Sequence, residues 1–110
     1  EAAQENSRFA IGVDADQSVT LEEFQDVIIG SAVKYINEGT QEVASAVAEG
    51  DFESVTGENT LGLDEEGVDL VIGQAFEGEM PDVVSQNIQE AKDGITNGDI
   101  EVPCSASGCN

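Results

Sequence analysis

Acidic side chains constrain this chain more than any other feature. Twenty-four Asp and Glu stand against three bases and no histidine, a formal net charge of -21 on 110 residues. Self-repulsion of this size opposes compaction in dilute buffer. A fold must therefore keep its acids on a solvated face and gather its apolar side chains elsewhere. The acids are interspersed, ten in residues 1–50 and fourteen in 51–110. That pattern fits the surface of a folded domain better than a disordered arm.

The charge excludes several function classes. With Arg8, Lys34 and Lys92 as the only cations, no basic patch exists to neutralise phosphates, which argues against nucleic acid and anionic membrane surfaces as partners. No apolar run approaches the roughly 18 residues of a spanning helix. The lack of histidine removes His-based catalysis and His-containing zinc sites. At about 1 M salt the Debye length is only ~3 Å, so the repulsion would be muted. An acid-rich, lysine-poor surface of this kind resembles those of halophilic proteins.

Hydrophobic residues make up 39% of the chain and recur in blocks, which suits one small domain with a core. Residues 1–6 read as the end of a helix, and 8–14 as a short buried strand that stops at an acidic turn. Residues 27–34 read as a second buried strand with small residues at 30–32. Asn37 is placed as N-cap of a helix over about 38–50, ended by Gly50. Residues 59–63 and 68–72, flanking Asp64-Glu65-Glu66-Gly67, predict a hairpin. A second helix opens near Pro81, carries Val84, Ile88, Ala91 and Ile95 on one face, and stops at Gly98. Residues 100–103 form a short extended end. The order strand, strand, helix, hairpin, helix is α/β. The expected core is Phe9, Ile11, Val13, Ile28, Ile29, Val33, Val47, Leu61, Leu63, Val84, Ile88 and Ile95.

Three places carry chemistry. In Gly12-Val13-Asp14-Ala15-Asp16-Gln17, a strand delivers a carboxylate to the carboxyl edge of a sheet, where ligands bind in open α/β folds. A carboxylate there accepts hydrogen bonds from two neighbouring sugar hydroxyls. The competing reading is an Asx-type turn in which Asp14 or Asp16 bonds its own backbone. A calcium loop is a third reading of Asp14-x-Asp16-x-Ser18-x-Thr20. It is disfavoured because Val19 occupies the glycine position and Gln25 the place of the bidentate Glu. Lys34 ends the second strand as one of only three bases. It suits an ion pair or a ligand hydroxyl, or equally a solvated strand end. Cys104 and Cys109 are a possible disulfide or two idle thiols, and a C-x4-C pair alone is a poor zinc site. An oxidised pair would suit an extracellular compartment. The chain begins at Glu1 rather than Met, which suggests that an upstream part is removed or missing.

Ile11-Gly-Val-Asp-Ala-Asp-Gln17 followed by Val27-Ile-Ile-Gly-Ser-Ala-Val-Lys34 resembles the basic membrane protein family of substrate-binding lipoproteins. Further landmarks follow in order: Gly50-Asp-Phe52, Leu61-Gly-Leu63 with Gly67-Val68, and Ile95-Thr-Asn-Gly-Asp-Ile-Glu-Val-Pro103. The resemblance covers the C-terminal third of such a receptor, over residues 1–103, with 104–110 as a flexible Cys-containing tail. Ala15 departs from the usual Ser, and Gly30 stands where Thr is common.

The resemblance implies a partial type I periplasmic-binding fold and a ligand-binding component of an ABC transporter that takes purine nucleosides. Asp14 would meet the ribose, with Asp16 close behind it and Lys34 near the same sugar. No catalysis and no cofactor are expected, and the full-length parent would sit at the cell surface or in the periplasm beside its permease. The alternative is a truncated lobe whose uncovered surface self-associates into an extracellular structural or filament subunit.

Overall fold

A three-stranded mixed sheet organises the N-terminal part of the chain. The structure is a computed structural model and describes residues 1–57 and 59–102. Its residues gather into two compact units, one spanning Glu1–Glu79 and the other starting at Met80.

The first unit opens with a single helical turn, α1 (Ala2–Glu5), and enters strand β1 (Ala10–Asp14). A short helix α2 (Gln17–Thr20) and a 3-10 turn (Glu22–Phe24) lead into β2 (Ile28–Lys34). Helix α3 (Ile36–Glu49) follows, then a 3-10 turn (Phe52–Val55), β3 (Val68–Ile72) and a last 3-10 turn (Gln74–Phe76). β2 is central: β1 pairs with it in parallel and β3 antiparallel. Its Ile28 and Val33 are the buried apolar residues among those described, while Ser18 and Ser31 are wholly enclosed. Both expected strands are therefore present, and the chain is a small mixed α/β protein.

The expected hairpin is not formed. Residues 59–63 contribute no strand, and β3 takes its ladder from β2 instead. The local reason lies in the turn itself. The Gly67 and Val68 N–H groups both donate to Gly62 O (2.9 and 3.3 Å), and the Glu65 carboxylate accepts from Gly62 N–H at 2.8 Å. The backbone groups that a hairpin would aim at a partner are spent inside the turn.

α3 starts at Ile36 with Tyr35 as cap, not at Asn37, whose side chain donates to Glu38 Oε1 at 2.7 Å. Its end matches expectation: Gly50 takes the left-handed conformation (φ 81°), and Asp51 N–H returns to Ala46 O at 2.8 Å. Val43 and Val47 are exposed, because α3 packs chiefly against the Phe52–Val55 turn.

Part of the expected core is also solvent-facing. Phe9, Ile11 and Val13 are 65%, 62% and 51% exposed. Strand alternation explains this. Gly12 and Ser31 face α2, since a β-carbon on Gly12 would meet Ser31 Oγ at 2.6 Å and Gln17 Cβ at 2.8 Å. Ile11 and Val13 then point to the opposite face of β1, where both remain exposed. Phe9 retains one aromatic neighbour, Phe76, edge-on at 5.6 Å. Ile29, Leu61 and Leu63 are half-buried.

The second unit holds α4 (Asp82–Thr96), with Pro81 at its cap and Gly98 left-handed (φ 77°) just beyond its end. Val84, Ile88 and Ile95 form a half-buried stripe, whereas Ala91 is exposed. After the helix the chain folds back, with Ile100 N–H donating to Gly94 O at 2.9 Å. No helix among the described residues is long and apolar enough to cross a membrane.

Candidate functional site

The carboxyl ends of β1 and β2 bring two of the expected site residues together. Asp14 is the last residue of β1 and lies in register with Val33, one position before Lys34. Its backbone is left-handed (φ 74°), a conformation that Asp tolerates better than most side chains but still at a cost. From there its carboxylate Oδ1 accepts a hydrogen bond from Lys34 Nζ at 2.7 Å. The two side chains are 65% and 58% exposed. An ion pair this open contributes at most ~1 kcal/mol to stability. The contact is therefore easy for a ligand to rearrange, and both polar groups are reachable from solvent.

Asp16 is placed differently. It is the N-cap of α2, and its Oδ1 accepts from both Ser18 N–H (3.0 Å) and Ser18 Oγ–H (2.7 Å). The Asx-type turn considered from sequence is thus realised at Asp16, and that carboxylate oxygen is directed at the backbone rather than at Lys34. Among the described residues, no three His, Cys, Asp or Glu side chains gather in a group suited to a metal ion. Cys104 and Cys109 lie outside the described residues.

Sequence reasoning missed the polar scaffold beneath the turn. Ser31 Oγ accepts from Gln17 N–H at 3.0 Å, and Gln17 Nε2 donates to Val13 O at 3.2 Å. Ser18 Oγ in turn accepts from Gln74 N–H, also at 3.0 Å. The Asp16-x-Ser18 pair carries a cap signal that was legible. A serine inside an apolar strand, as at Ser31, carries none.

Lys34 also borders an open, largely apolar groove of about 700 Å³, lined among others by Tyr35, Ile36, Val43, Leu61 and Val68. Glu38, Glu42 and Glu65 line a smaller depression that shares Leu61 with the groove. The site thus combines one cation, one carboxylate aligned with it and adjacent apolar surface, a hydrogen-bond donor and acceptor side by side. No protein-family model matches this chain, and no curated protein matches it.

Proposed function

We propose that this chain is a ligand-binding portion of an extracytoplasmic nucleoside receptor of the basic membrane protein type, built on part of a type I periplasmic-binding fold and serving an ABC permease. It performs no covalent chemistry. The observation that carries the reading is the 2.7 Å Asp14–Lys34 contact at the ends of neighbouring parallel strands. Ligands of open α/β sheets bind at that edge. The Asp14 carboxylate accepts from vicinal ribose hydroxyls, and the Lys34 ammonium, with three donors, serves a hydroxyl oxygen without releasing Asp14. Asp16 stands behind this pair and shapes the turn. Lobe closure over the sugar would signal to the permease.

Calorimetric titration of inosine and adenosine into the polypeptide as its host makes it tests this reading. Saturable heat from at least one of them is the expected result, and no heat from either overturns it.

A second reading has its own observation. Ile11 and Val13 on the edge strand β1, with Phe9 just before it, are exposed apolar residues. Such edges pair with other copies, as a self-associating structural subunit would require. A strictly monomeric species in light scattering at molar salt removes that reading.

A further inference from the structure

We infer that Ser18 and Ser31 are positioning residues for the Asp14–Lys34 pair: two enclosed hydroxyls hold the β1–α2 turn in the shape that aims Asp14 at Lys34. This rests on the reading of that pair as ligand-contacting, but the test below needs no ligand, so the two can fail separately.

The turn is pinned on both sides of Asp14. Before it, Val13 O accepts from Gln17 Nε2 at 3.2 Å. After it, Gln17 N–H is held by Ser31 Oγ at 3.0 Å. Residues 14–16 must close the gap between these anchors, and they do so with Asp14 in the left-handed region at φ 74°. A non-glycine residue stays there only where its surroundings over-determine it.

Ser18 supplies the second constraint. Its hydroxyl donates to Asp16 Oδ1 at 2.7 Å while accepting from Gln74 N–H at 3.0 Å. The turn is thereby tied to a segment 56 residues downstream, just past β3. One hydroxyl fills both roles, which alanine cannot. Both serines are 0% exposed. Water has no ready access to replace either oxygen, so its loss leaves a donor unpaired unless the turn moves. When the turn relaxes, Asp14 drifts toward extended backbone and its carboxylate leaves Lys34.

The chain holds only two lysines, Lys34 and Lys92, which permits a clean readout. The full chain is treated with an amine-acylating reagent at low conversion, at the lowest salt that preserves its circular dichroism. Mass spectrometry then gives the ratio of Lys34 to Lys92 modification. Ser18→Ala and Ser31→Ala should each raise that ratio about 3-fold, the scale of protection that an exposed ion pair provides. Asp14→Asn sets the ceiling. Ile28→Val weakens the same sheet from its core and should leave the ratio unchanged, which a merely structural role for the serines would also do. Gln17→Ala removes only the bond to Val13 O and should give a smaller rise, should a serine variant fail to fold. An unchanged ratio in every folded serine and Gln17 variant overturns the inference. So does an unchanged ratio in Asp14→Asn, because there would then be no pair to position.

Discussion

Gly12 is fixed by what lies over it. α2 and Ser31 crowd the face of β1 so closely that any β-carbon there displaces Ser31 Oγ or the Gln17 side chain. Gly12→Ala should therefore lower stability by about 1–3 kcal/mol, the usual cost of overpacking, read as a fall in denaturant midpoint. An unchanged midpoint would mean that α2 does not pack on β1 as described. Gly73 is constrained still more severely, because its β-carbon would collide with the Ile28 carbonyl. At this scale the candidate site was half legible. Asp14 and Lys34 stood out because each closes an apolar strand with a charge. Ser18 and Ser31 did not, since burial of a small hydroxyl depends on a partner that arrives from elsewhere in the chain. Asp16 realises the Asx-type turn that the sequence offers as the competing reading, its bonded oxygen serving as a helix cap.

Among the elements, the two contiguous strands and the glycine-ended helices are legible locally, although α3 opens at Ile36 rather than after Asn37 and α2 carries no such signal. β1 and β2 are contiguous apolar runs that end in charge, and α3 and α4 end near glycines that take left-handed backbone. The β3 pairing was misread because a hairpin and a long-range antiparallel ladder leave the same alternation in the sequence; Glu65 and Gly62 decided between them through the turn. Burial was misread where a strand has only one covered face, as for Ile11 and Val13. Their exposure makes a prediction about the element. If β1 mediates association, the double variant Ile11→Ser with Val13→Ser should shift the light-scattering mass at molar salt to that of a monomer. Circular dichroism should hold, since neither side chain is buried. An oligomer of unchanged mass would mean that any association uses another surface.

For the whole molecule, the charge of -21 sets the conditions under which these contacts can form. The acids repel one another across distances that molar salt screens, while the part-buried contacts under the turn, at 2.7–3.0 Å, are screened much less. The melting temperature should therefore climb as potassium chloride is raised from 0.1 to about 2 M. A flat or falling series would contradict a surface adapted to brine. The habitat suggested by the charge is separate from the function suggested by the strand ends, and only the latter bears on Asp14. The proposed function turns on the Asp14 carboxylate meeting a ribose. It is tested most directly by calorimetric titration of inosine into the native polypeptide and its Asp14→Asn variant. Loss of a hydrogen bond to a charged acceptor predicts an affinity about 10- to 100-fold weaker in the variant, with the fold intact. Equal affinities in the two proteins would contradict the claim.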